Sequence, residues 1–194
     1  MSALFQELAY SETAIGALSL RRRKDLSLGI DIYEIKLDDD FLMSSLFTEG
    51  EVALANLGLG AHRGTGLDVI VGGLGLGYTA AAALDHPALG SLVVIDALPA
   101  VIDWHRRGLV PLGRRLADDP RCTLAQGDFF ALALARLLSG TPSGQVDAIL
   151  LDIDHSPANV LHPSHAALYT QAGLGSIAAQ LRPGGVFALW SNDA

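Results

Sequence analysis

The segment Asp68-Val69-Ile70-Val71-Gly72-Gly73-Leu74-Gly75-Leu76-Gly77 constrains this chain more than any other stretch. A run of branched apolar residues enters a turn crowded with glycine, and an alanine-rich stretch from Tyr78 to Asp85 follows. The order is strand, tight turn, helix. Glycine is needed where a backbone turns sharply and where no side chain can stand between a loop and a ligand. The helix start behind such a turn offers free N–H groups. Asp96 follows nineteen residues after Gly77, at the end of the next apolar run. A carboxylate there can accept hydrogen bonds from both hydroxyls of a ribose. The dinucleotide pattern G-x-G-x-x-G would require glycine at 78, where this chain has Tyr78. The spacing is G-x-G-x-G, and together with Asp96 it predicts a nucleotide site of another kind.

The same rhythm continues to the end of the chain. Strands are expected at Leu67–Val71, Ser91–Ile95, Arg121–Ala125, Val146–Leu151 and Val186–Trp190. Helices fit between them at Tyr78–Asp85, Pro99–Leu116, Phe129–Leu138 and Ala166–Leu181. The strands are nearly continuous apolar runs, as parallel strands covered on both faces require. The alternation predicts an α/β fold with a doubly wound, mostly parallel, Rossmann-like sheet over residues 46–194. Residues 1–45 read instead as a small β-rich segment. Ile15–Leu20 is an apolar run closed by Arg21-Arg22-Arg23-Lys24, expected at a solvated hairpin end. Ile30–Leu37 changes phase, which predicts a bulge near Tyr33. Thr48-Glu49-Gly50-Glu51 has capping-box spacing at the start of a further helix.

Composition narrows the partners. Thirteen basic residues against twenty-one acidic ones give a net charge of −8. Such a surface repels phosphate backbones and argues against nucleic acid. The longest apolar stretch, Val69–Leu84, is interrupted by glycines, Thr79 and Tyr78, and is too short to span a bilayer. Met1 to Glu7 lacks a basic region followed by an apolar one, so no secretory leader is read there. The single cysteine, Cys122, excludes an internal disulfide and reads as a small apolar strand residue. The expectation is a cytoplasmic protein without membrane contact.

Two further stretches carry chemistry. Gly127-Asp128-Phe129-Phe130 follows the third strand of the alternation. Asp128 there can accept from an adenine amino group while Phe129 covers the ring, or it can cap the next helix. Asp152-Ile153-Asp154-His155-Ser156-Pro157 follows the fourth strand, at the sheet edge where ligands of open α/β folds bind. Asp152, Asp154 or His155 could take a proton from an attacking nucleophile. Asp154 and His155 could equally cap a turn before Pro157. His155, His162 and His165 lie close in sequence, but without cysteine or a helical pair of histidines no metal is expected. Trp104 is expected to pack and His105 to lie on the surface of its helix, although both could reach a substrate pocket.

These stretches resemble the spermidine synthase-like group of the class I methyltransferase fold. The likeness runs through Val69–His86, Val93–Ile102, Asp119–Arg121, Gly127–Asp128, Val146–Asp152 and Leu181–Phe187, and Phe5-Gln6-Glu7-Leu8 resembles that group's Tyr-Gln-Asp-Ile segment. It implies a transferase whose cofactor is S-adenosylmethionine or its decarboxylated form, held at Gly73, Gly75, Gly77, Asp96, Asp128 and Phe129. It further implies that Asp96 holds the ribose, Asp128 the adenine, and that Asp152 deprotonates an attacking amine. The chain departs from the pattern where the donor tail and polyamine bind. Leu76 replaces a loop aspartate, Glu49-Gly50 a Tyr-His pair, Leu98 an acid, and His155 the second acid of Asp-x-x-Asp-Pro, with Asp154 one place early.

The departures predict methyl transfer to a small-molecule acceptor. Aminopropyl transfer to an amine is the second reading, and a non-catalytic nucleotide-binding protein the third. The sequence stops at Asn192-Asp193-Ala194, directly after the fifth strand, where this fold usually adds a helix and an antiparallel hairpin. That predicts either a truncated sequence or a sheet edge covered by a second copy in a homo-oligomer.

Overall fold

The computed structural model describes residues 4–138 and 144–192. Residues 1–3, part of the segment read for a leader, and Asp193 and Ala194 at the other end lie outside them.

The N-terminal segment is an antiparallel four-stranded sheet in the order β1-β2-β3-β4. Its strands are β1 (Phe5–Thr13), β2 (Gly16–Asp25), β3 (Ile30–Leu37) and β4 (Asp40–Ser44). Cross-strand pairs Leu20–Ile35 and Leu18–Leu37 line its inner face. Leu18, Leu20 and Ile35 are buried in one cluster with Leu54, Ala55 and Leu76 of the larger unit. The basic run is not a hairpin end. Arg21 to Lys24 lie inside β2, where Arg22 bonds Gln6, Arg23 pairs with Glu34 and Lys24 with Asp31. Their aliphatic stems cover the strand while cross-strand partners take the charge. The bulge is displaced as well. β2 and β3 pair without a break, and the shift falls where Ile35 and Lys36 meet Met43 and Phe41 of β4.

The larger sheet is entirely parallel, in the order β7-β6-β5-β8-β9. Its strands are β5 (Leu67–Gly72), β6 (Leu89–Asp96), β7 (Cys122–Gln126), β8 (Val146–Leu151) and β9 (Leu181–Leu189). Side chains alternate between two cores, as a period of two demands. Val69 and Val71 enter one and Ile70 the other; Ala148 and Leu150 oppose Ile149 and Leu151 in the same way. The first core is covered by α1 (Glu49–Gly60), α2 (Tyr78–Asp85), α3 (Pro99–Arg107) and α4 (Gly113–Asp118). The second lies under α5 (Phe129–Leu134) and α6 (Gln171–Ala178). The chain leaves β5 toward β6 and β7, then returns to β8 on the other side. That reversal opens a crevice at the carboxyl ends of β5 and β8.

Several boundaries differ from the periodicity. The helix expected over 99–116 is two helices, because Gly108 takes φ 69° and receives the chain at the end of α3. The helix expected over 166–181 is a 3-10 turn at Pro163–Ala167 followed by α6, restarted by Thr170, whose hydroxyl accepts from Gly173 N–H. The helix expected over 129–138 ends at Leu134. β9 begins at Leu181, five residues early, and absorbs Pro183-Gly184-Gly185 as a register shift. Thr48 precedes α1 without a side-chain cap, so no capping box forms. Among the described residues no helix is long and apolar enough to cross a membrane.

Candidate functional site

The crevice is built from two loops that touch. Gly72 carbonyl accepts from Asp152 N–H at 2.8 Å, and Gly73 N–H reaches back to Ile95 at 2.9 Å. A Cβ on Gly73, whose φ is 96°, would lie 2.1 Å from the Asp152 carbonyl oxygen. Only glycine permits that approach. Gly77 (φ 92°) starts α2, and a Cβ on it would collide with Leu116 and His105. Gly73 and Gly77 are thus required by the protein's own packing. Gly75 faces the Met43 thioether instead. Leu74 and Leu76 point into the core, and Leu76 is wholly buried.

Asp96 closes β6 beside this loop. Its Oδ2 accepts from Leu74 N–H at 2.9 Å and its Oδ1 from Leu98 N–H at 2.8 Å. Each oxygen keeps a lone pair, so hydroxyl donors can still be received. Burial pushes its pKa above the ordinary carboxylate value, against the pull of the Leu98, Leu74 and Gly75 N–H groups.

Asp152 stands across the crevice, directly after β8. Its Oδ2 accepts from the Thr79 hydroxyl at 2.5 Å. Burial raises its pKa to about 6; the Thr79 bond opposes the shift and the Glu51 charge adds to it. Glu51, on α1, is itself raised by burial. Among the described residues no basic side chain forms an ion pair with Asp96 or Asp152.

The remaining expected residues divide. Asp128 is exposed at the carboxyl edge and caps α5, its Oδ1 accepting from Ala131 N–H at 3.1 Å. Phe129 does not present a face to a ligand. It is 1% exposed, its ring lies under Gly72 and meets Phe130 edge-on. Asp154 is engaged by partners within the protein. At 4% exposure it receives Leu161 N–H, His165 Nδ1 and the Tyr169 hydroxyl, which fixes the loop after β8. His165 also stacks on Phe130 at 3.7 Å. His162 caps the 3-10 turn by accepting Ser164 N–H, which leaves the three histidines of this loop in separate roles. His155 is half-buried next to Asp154, and its carbonyl accepts from Asn192 N–H. Gly50, at the start of α1, abuts the Trp190 indole, which leaves no room for a side chain.

Three residues at the crevice escaped the sequence reading: Met43, Glu51 and Thr79. Thr79 is the one aliphatic hydroxyl in the Tyr78-Thr79-Ala80-Ala81 start of α2, and that position was a usable signal. His105 is not at the surface but fully buried, bonding Gly75 carbonyl through Nε2 at 2.9 Å.

No family model matches the chain. Over 126 residues it is 31% identical to a protein named polyamine aminopropyltransferase 2 from Pseudomonas aeruginosa, covering 63% of this chain and 32% of that one. Over 133 residues it is 29% identical to a protein named putrescine N-methyltransferase 4 from Nicotiana tabacum, covering 69% and 31%. The chain therefore spans about a third of the length of these curated relatives. A spermidine synthase solved with the transition state analogue AdoDATO superimposes with a TM-score of 0.74 at 19% identity, over 95% of this chain and 57% of that one. Spermidine synthase from Thermotoga maritima gives 0.71 at 18%, over 95% and 55%. In sequence the chain is similar to these two relatives, and in fold to spermidine synthase, with a methyltransferase-like parallel sheet.

Proposed function

We propose that this protein is an S-adenosylmethionine-dependent transferase that moves a methyl group to a small amine. The observation that carries this reading is a pair of half-buried carboxylates at the carboxyl edge, Asp96 and Asp152, both pushed up by desolvation and without a basic partner among the described residues. Buried anions are costly unless a cation compensates them. A sulfonium donor is a cation, and an amine acceptor arrives as one.

Asp96 would hold the ribose and Asp128 the adenine edge. Asp152, with a pKa of about 6, is ionised at neutral pH and can take the proton of an incoming ammonium. The freed nitrogen lone pair then attacks the methyl carbon in line with the sulfur. The carbon–sulfur bond breaks, its electrons stay on sulfur, and a neutral thioether leaves. The relative named putrescine N-methyltransferase supports this chemistry, as does Leu76, which places no carboxylate in the loop. The 31% identity to the relative named polyamine aminopropyltransferase favours a second reading, in which the same base serves aminopropyl transfer from the decarboxylated donor.

Turnover with putrescine, assayed separately with each donor, decides between them. Methylated product from S-adenosylmethionine alone is the expected result. Product from the decarboxylated donor alone would establish the second reading.

A further inference from the structure

One peptide of the glycine loop is held at both ends. The Gly75 carbonyl oxygen accepts from His105 Nε2 at 2.9 Å. The N–H of Leu76, the other end of the same planar unit, donates to Met43 Sδ at 3.0 Å. A carbonyl can only accept, so Nε2 carries the proton and His105 donates. Its Nδ1 is buried without a hydrogen-bond partner among the described residues. The ring is also wedged beside Gly77. In a trans peptide the C=O and N–H point in opposite directions. By holding the oxygen against α3, His105 turns the N–H toward β4. What meets it there is a half-buried thioether, a weak acceptor on a flexible stem that a stronger acceptor can displace.

We propose that His105 is a positioning residue that sets donor specificity: it presents the Leu76 N–H to the donor tail and so selects a tail bearing a carboxylate over one ending only in an ammonium. A carboxylate receives this N–H in a charge-assisted bond. An ammonium needs an acceptor, which this peptide could supply only by flipping and breaking the His105 bond. The Leu76 side chain supplies none. This inference rests on the donor-binding reading of the crevice.

Calorimetry on the whole chain with three ligands tests it. S-adenosylmethionine has the carboxylate, decarboxylated S-adenosylmethionine lacks it, and 5′-methylthioadenosine has no charged tail. The unsubstituted protein should prefer S-adenosylmethionine over the decarboxylated form by about tenfold. His105→Leu, shown folded by its thermal melt, should bring that ratio close to one and leave methylthioadenosine affinity unchanged. His105→Gln, whose amide can still donate to Gly75, should keep the preference. If His105→Leu fails to fold, Met43→Leu decides: losing the competing thioether should tighten S-adenosylmethionine alone, and no change overturns the proposal. It is also overturned by an equal or reversed preference in the unsubstituted protein, or by a folded His105→Leu that keeps the full ratio. Failure of methylthioadenosine to bind the unsubstituted protein would instead remove the donor reading itself, and the proposal with it.

Discussion

The two edges of the parallel sheet treat their carboxylates in opposite ways. At the amino edge Arg182 reaches Asp68 at 2.8 Å and also binds Asp147. Ser91 donates to Asp68 at 2.6 Å, and Asp147 receives Asp68 N–H at 2.8 Å. Bonds from Ser91 and Arg182 hold Asp68 below the ordinary carboxylate value. At the carboxyl edge Asp96 and Asp152 are pushed the other way, because burial removes water and no cation replaces it. The first arrangement is complete within the protein and stitches β5, β6, β8 and β9 together. The second has no such cation among the described residues, and under the proposed function the donor and acceptor would bring one.

The contrast can be broken at either edge. The largest effect is expected from Asp152→Asn, which should lower turnover about 10²- to 10⁴-fold, the typical worth of a positioned base. Donor binding by calorimetry should survive; an unchanged kcat would remove Asp152 from the chemistry. At the amino edge Asp147→Ala should cost about 2 kcal/mol of stability in urea unfolding, since it strips partners from Arg182 and Asp68 N–H. Donor affinity should stay as it was, and a loss of affinity there would erase the distinction between the edges.

A pH series sharpens the difference. The Asp152 carboxyl rises from 3.8 to about 6 on folding, so the folded state binds this proton more tightly. Its contribution is fully present below about pH 3.8 and is lost as pH rises through about 6. Between those limits the unsubstituted protein should lose on the order of 2 kcal/mol relative to Asp152→Asn. Parallel pH profiles of the two proteins would contradict the assignment. The smallest effect is expected from Thr79→Val. The hydroxyl it removes lowers the Asp152 pKa, so the acid limb of kcat/KM should move upward by some tenths of a pH unit.

Sequence made the strands legible because burial on both faces leaves unbroken apolar runs, as in Val146–Leu151. It misjudged helix lengths where one turn residue, Gly108 or Thr170, outweighs an apolar period. The positions of Asp96 and Asp152 at the carboxyl ends of β6 and β8 were readable because their distance from a glycine turn or strand end is local. Asp154 was not, since its partners His165 and Tyr169 lie on a later segment that folds back over it. His105 was misplaced because a polar side chain on a helix suggests water, and only the tertiary contact with Gly75 gives it a buried partner. Phe129 shows the converse: an aromatic beside Asp128 suggested a ligand face, but Gly72 leaves a hollow that the ring fills.

The bond between Thr79 and Asp152 joins residues 73 positions apart. A ribosome therefore delivers the glycine loop long before the opposite lip of the crevice exists. The sheet can begin as β5, β6 and β7, but a nascent chain that ends before β8 has nothing to close against. Ligand can then stabilise only the finished product, by mass action on the folded form. If the proposed donor binds in the crevice, it would also report that β8 has joined the sheet.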